Sequence, residues 1–115
     1  MKSLKHCIKL GCSVKVYVPS TVNITEKAET QEWVDKSLSF LSELFGGATA
    51  TIAMGAWLAK DGALVKEKVT LVLAYATQAQ LEAGIEAVYG FCVLMKEKLG
   101  QEAIALEVNG SMYFI

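Results

Sequence analysis

Proline occurs once in this chain of 115 residues, histidine once and cysteine three times. Each scarcity removes a class of protein. Cys7, Cys12 and Cys92 are odd in number and form no Cys-x-x-Cys pair, which argues against a disulfide framework or a zinc site. His6 is the only imidazole, and no Gly-x-Ser-x-Gly elbow is present, so a Ser-His-Asp triad has no support. His6 and Cys7 are neighbours, but a catalytic dyad needs spatial closeness and a third, orienting group. Adjacent residues of an extended strand face opposite ways. Gly46-Gly47-Ala48-Thr49 lacks the lysine of a phosphate loop and follows a helical pattern, so it reads as a helix stop. No catalytic set, metal set or cofactor motif emerges.

Long apolar runs and one-signed charge are missing as well. No stretch is long enough to span a membrane. Residues Met1 to Cys12 are basic but lack the apolar core of a signal peptide, and Lys9 interrupts the lipoprotein-like Leu10-Gly11-Cys12 triplet. A cytoplasmic location is expected. With 11 basic and 12 acidic residues the net charge is -1, which builds no field for phosphates and disfavours general nucleic-acid binding. Lys2, Lys5 and Lys9 form at most a local patch.

What is present suffices for one domain. A chain of this size buries roughly two-thirds of its unfolded surface without staples. Its apolar content, 53%, slightly exceeds that of a typical soluble domain and leaves some apolar surface for a partner. Residues 1–12 read as an N-terminal extension, either an extra edge strand, a short helix or disordered, and 13–115 as a single α+β domain. Val14, Val16 and Val18 alternate with Lys15 and Tyr17, a half-buried strand that Pro19 ends. Ser20 to Glu29 has no period and reads as a loop. Thr30 to Phe45 carries Val34, Leu38, Leu41 and Phe45 at helical spacing, with Trp33 and Leu44 widening the stripe. Thr30 is its expected cap and Gly46-Gly47 its stop.

Ala48 to Ala59 is a weaker strand in which Gly55 suggests a bulge or a close backbone approach. Lys60-Asp61-Gly62 marks a turn of the Asp-Gly kind. Leu64 to Ala76 follows as a long strand. Val69, Leu71, Leu73 and Tyr75 are expected on its core face, and Lys66, Lys68, Thr70, Val72 and Ala74 on the other. Thr77 to Leu99 is a second helix with a Thr77–Gln80 capping box and a stripe of Leu81, Ile85, Val88, Cys92, Met95 and Leu99. Gln101 to Val108 is a strand, and Asn109-Gly110 turns it into a last short strand. The order gives a ferredoxin-like βαββαβ sandwich: an antiparallel sheet, two helices on one face and a C-terminal β-hairpin. The second face, with Tyr17, Val72 and Ala74, is then solvated, paired or used for a ligand.

Gly55-Ala56-Trp57, then Gly62 with Leu64-Val65-Lys66-Glu67, then Gln101-Glu102-Ala103 punctuate the chain. On these features the chain, from Val16 onward and over roughly its last two-thirds, resembles a family of small, functionally uncharacterised proteins from bacteria and their phages. The resemblance implies a ferredoxin-like fold and a mobile-element setting, with a role in host conflict such as inhibiting a defence enzyme or sequestering a nucleotide signal. It implies no site residues.

Four residues stand out for binding. Trp57 and Tyr17 are aromatics that recognition surfaces use. Packing of Trp57 under its turn is the plainer account. Glu67 precedes the buried half of the long strand and Glu102 opens another; if these strands are neighbours, both acids approach one end of the sheet, where paired carboxylates do acid-base work or hold a metal. Pairing of Glu67 with Lys66 or Lys68, or full solvation, is the alternative. The residues together favour a non-catalytic interaction or ligand-binding module, homo-oligomeric through the open sheet face, with a protein or small-molecule partner. The other reading is a small dimeric ferredoxin-like enzyme using carboxylates at the sheet end.

Overall fold

Strand β1, Cys12–Pro19, forms because three valines alternate with Lys15 and Tyr17, and its burial alternates in step. The computed structural model describes residues 2–22 and 26–115. Before β1, Ser3–His6 make one 3-10 turn and residues 2–11 are exposed. Cys12 already belongs to β1 and to the core, so the strand begins one residue earlier than the alternation suggests. Part of the expected Ser20–Glu29 loop is a two-residue ribbon, β2 (Thr21–Val22) against β3 (Glu26–Lys27). Residues 23–25 of that loop, and residue 1, lie outside the described residues.

Helix α1 spans Gln31–Phe45 and stops at Gly46, whose φ of 94° only glycine adopts without strain. Thr30 precedes it without capping it through its side chain. Its hydroxyl donates instead to the Pro19 carbonyl, at 2.7 Å, which ties the start of α1 to the end of β1. Strands β4 (Thr49–Leu58) and β5 (Leu64–Ala76) pair without interruption, so Gly55 sits opposite Glu67 and marks no bulge. The connection is five residues long. Ala59 and Ala63 close it by backbone pairing, and Asp61 accepts from the Ala63 N–H at 2.9 Å. Helix α2, Gln78–Lys98, starts in the expected capping box: Thr77 Oγ1 accepts from Gln80 N at 3.1 Å and Gln80 Oε1 from Thr77 N at 2.8 Å. Strands β6 (Ala105–Val108) and β7 (Ser111–Phe114) flank Asn109-Gly110, both at positive φ as a tight hairpin requires. Asn109 also exchanges hydrogen bonds with Ser13, Oδ1 accepting from its N–H and N–H donating to its carbonyl, both at 3.0 Å.

The chain is therefore α+β: a five-stranded antiparallel sheet in the order β4-β5-β1-β6-β7, with two helices that pack on it and on each other. This architecture is consistent with a ferredoxin-like sandwich. Under the helices lie Val14, Val16 and Val18 with their cross-strand partners, and Leu41, Phe45, Val88, Cys92 and Met95 above them. Trp33 anchors α1 as expected; its ring meets Phe91 edge-on at 5.8 Å, and Phe91 stacks on Phe40 at 4.6 Å.

The faces of β5 are the reverse of the expectation. Val16 stands opposite Val72 and Val14 opposite Ala74, so Val72, Ala74 and Ala76 lie under the helices and are buried. Val69, Leu71, Leu73 and Tyr75 point to the open face with Tyr17, which stands opposite Leu71. Both faces of β5 are apolar, and a period of two does not rank them. Helix side chains already fill the covered layer, and the smaller set fits beneath them.

Two outcomes test this packing. A Cβ on Gly84 of α2 would stand 3.1 Å from the buried Phe45 ring. Alanine gains about 1 kcal/mol in helix propensity, against about 1–3 kcal/mol for overpacking. We expect Gly84→Ala to lower the thermal midpoint in calorimetry; an unchanged midpoint would mean that Phe45 yields. Burial pushes the Cys92 thiol up to about 12, so it stays protonated and unreactive at neutral pH. Cys12 is buried too and donates to Gln78 Oε1 at 3.2 Å, whereas Cys7 is exposed. A thiol reagent should label Cys7 fast in the native protein and Cys92 only on unfolding, read by peptide mass mapping.

Candidate active site

Pairing along β1, β5 and β4 places Tyr17, Glu67 and Trp57 on one face, the one the helices leave open. Tyr17 faces Leu71, Glu67 lies four residues before Leu71 on the same strand face, and Trp57 lies two residues beyond Gly55, the partner of Glu67. Three of the four residues singled out in the sequence thus share a surface. Gly55 opposite Glu67 leaves the acid without a cross-strand side chain beside it. Trp57, 50% exposed, is not packed under its turn.

Glu67 is half-buried at the place where β1 ends and β4–β5 continue alone. The buried Thr21 donates its hydroxyl to Glu67 Oε1 at 3.2 Å. Gln101 closes the group from the other side. Its Nε2 donates to the Thr21 carbonyl at 2.9 Å and to the Leu99 carbonyl at 3.1 Å, and lies 3.5 Å from Thr21 Oγ1. Sequence dictates this local geometry. Gly100, at φ 60°, ends α2 in the left-handed conformation, and the Gln101 N–H returns to the Lys96 carbonyl at 3.0 Å. The chain therefore turns at Gly100, and Gln101 is the side chain that reaches β2. Glu102, the next residue, is exposed and has no hydrogen-bond partner among the described residues. The expected pair of acids is thus an acid, a hydroxyl and an amide: Glu67, Thr21 and Gln101.

Lys66 and Lys68 do not pair with Glu67. As strand neighbours they face the other side of the sheet, and the ion pairs among the described residues are Lys15–Glu107 at 3.5 Å and Lys36–Glu32 at 2.9 Å. Glu67 therefore offers a carboxylate with one oxygen oriented by Thr21, and Lys66 and Lys68 leave it uncompensated. Such a group suits a cationic or hydrogen-bond-donating ligand, or a proton to be removed. Aromatic faces at Trp57 and Tyr17 add stacking or cation–π contacts. Neither Thr21 nor Gln101 is visible as a site residue in the sequence; the only hints are their places just past a strand-ending proline and a helix-ending glycine.

No protein-family model matches this sequence, and no curated protein matches it. Solved structures match its fold. A phage SAM lyase in complex with S-methyl-5'-thioadenosine superposes with a TM-score of 0.65 at 16% identity, over 94% of this chain and 91% of that one. The same kind of enzyme in its apo state gives 0.59, again at 16% identity, over 91% and 88%. A Bacillus cereus protein related to NIF3 gives 0.53 at 13% identity; it covers 90% of this chain but 25% of that larger one. At these identities the likeness is one of fold. It counts against the expectation of a non-catalytic interaction module, since these two lyase structures match nearly end to end, and the alternative of a small enzyme fits better.

Gln101→Ala is expected to destabilise the protein by about 1–2 kcal/mol, because the Thr21 carbonyl loses its donor in a part-buried place. Urea unfolding measures this. A loss below a few tenths would show that the Gln101 contacts do not hold Thr21.

Proposed function

We propose that this protein is a small enzyme that cleaves S-adenosylmethionine and releases S-methyl-5'-thioadenosine, with Glu67 as the residue that meets the reacting cation. One observation carries the reading: a fold match to a SAM lyase over 94% of this chain and 91% of that one, with its thioether nucleoside bound there. The local chemistry agrees with it. A sulfonium is a permanent cation, and its sulfur leaves as a neutral thioether that needs no acid. The carbon–sulfur electron pair goes to sulfur. The carbon left behind takes a pair from within the same substrate, either from its carboxylate or from an adjacent C–H bond whose proton a base removes. Glu67, oriented by Thr21, serves as counter-ion in both cases and as base in the second. Trp57, on the same face and two residues along from Gly55, the partner of Glu67, supplies aromatic surface for the adenine.

In this reading the fold is a ferredoxin-like βαββαβ unit with an appended C-terminal hairpin. The enzyme is a cytoplasmic homo-oligomer from a phage or mobile element, and removal of a methyl donor would disarm methylation-dependent host defences. Ile52, Met54, Leu58 and Leu64, 56–76% exposed on β4 and β5, support an oligomer, though they lie on the Val72 side of the sheet and not on its open face as expected.

The test is chromatographic detection of S-methyl-5'-thioadenosine after incubating the purified protein with S-adenosylmethionine. Glu67→Gln should lower the rate by about 10²–10⁴, and Glu102→Gln should leave it within about twofold, the residual expected of an exposed acid without a role. No thioether from the wild type, or full activity in Glu67→Gln, would overturn the reading.

A further inference from the structure

Strands β4 and β5 outrun the rest of the sheet. Pairing between β1 and β5 ends at Pro19 and Val69, so from Met54 and Lys68 outward they form a two-stranded arm. The molecule measures 52 × 28 × 20 Å along its principal axes. A lone two-stranded ribbon is marginal in water. This one adds bare apolar side chains on the face it shares with Val72. Met54 is 61% exposed, Leu58 72% and Leu64 56%, Lys66 and Lys68 lie among them, and Ile52, 76% exposed, adjoins the arm at its base. Strand β4, Thr49–Leu58, contains no charged residue and no proline, so nothing guards this edge.

The opposite end of the sheet holds an apolar groove. A groove of about 560 Å³ runs between α2 and β6–β7, lined by Ile85, Tyr89, Leu106, Tyr113 and Phe114, with Glu86 as its charged residue. Glu82 lies one helical turn before Glu86 and is exposed. Three strands separate β4 from β7. At about 4.8 Å per strand spacing the two edges are about 19 Å apart, and the arm runs along the strands rather than across them. The arm of a chain does not reach that chain's own groove.

We infer that the arm of one copy seats in the α2/β6–β7 groove of a second copy, with Lys66 and Lys68 against Glu82 and Glu86. Apolar surface meets apolar surface, and the lysines of the arm meet the acids of the groove. Arm and groove are different patches, so the contact is head-to-tail: each copy gives an arm and receives one, and the assembly closes as a ring or by reciprocal exchange. The contact stands on geometry and charge and does not depend on the cleavage chemistry above.

Light scattering behind size exclusion on the full chain tests it. The wild type should be an oligomer. K66E/K68E and E82K/E86K should each shift it toward monomer, with unchanged far-ultraviolet circular dichroism, and the combined four-fold variant should reassemble, because the swap restores opposite charges. Leu58→Glu should also dissociate it. A monomeric wild type would overturn the inference, as would assembly surviving both charge reversals or a combination that fails to reassemble. Residues 2–10, with Lys2, Lys5, Lys9, Leu4 and Ile8, are the rival occupant of the groove. If their deletion dissociates the assembly while the arm variants do not, the arm is not the occupant. Because the readout is mass, failure of the S-adenosylmethionine reaction leaves this test intact.

Discussion

The ladder on both sides of β1 is the constraint from which the rest of the structure follows. Val14, Val16 and Val18 are essentially fully buried, and their backbone is paired to β5 on one side, with β6 beside Val14 and Val16 on the other. That strand decides which face of each neighbour meets the helices, because directly paired residues share a face. Once Val16 is opposite Val72, Leu71 and Leu73 must face away, whatever their size. The same register puts Glu67 on the open side and opposite Gly55. The loss of β1 beyond Pro19 then does two things. It frees the arm, and it leaves Thr21 to swing against Glu67 rather than continue the strand.

Site and arm are thus consequences of one event, the early end of the central strand. Pro19 cannot donate to a ladder, and the Thr30 hydroxyl takes up its carbonyl. From there outward β4 and β5 have each other and no third strand. An acid at that boundary is half-buried on one side and open on the other, which suits a group that must be oriented yet reachable. The uncovered sheet face is apolar through Val69, Leu71 and Leu73, and the expectation of a bare face survives with different residues upon it. Its polar contact, Lys15 with Glu107, is a partly exposed cross-strand pair worth up to about 1 kcal/mol.

Much of the architecture was legible. Both helices, the Thr77–Gln80 box, the Asn109-Gly110 hairpin and the long β5 each carry a local signal in the sequence: a period, a cap or a turn residue. The candidate site was legible by halves. Aromatic and acidic residue types drew attention to Tyr17, Trp57 and Glu67, which do share a face. Glu102 drew the same attention but is exposed, while its neighbour Gln101 makes the contact. A one-residue difference at the exit of α2 depends on how Gly100 turns, and composition carries no trace of it. Thr21 and Thr30 look alike as polar loop residues. Their different bonds, one to Glu67 46 residues on and one to the Pro19 carbonyl 11 residues back, are set by tertiary pairing and not by the local sequence.

Taken alone, the order of residues determined the element types, their sequence, the absence of a Ser-His-Asp set and the lack of a one-signed electrostatic field, since each follows from composition or from neighbours a few positions away. Tertiary structure alone decided which side of β5 is the inside, that β4 and β5 extend past their neighbours, and that Glu67, Thr21 and Gln101 meet. The physical reason is that both sides of β5 are apolar, so hydrophobicity does not choose between them. Only pairing with β1, under helices whose side chains already occupy the covered layer, breaks that tie.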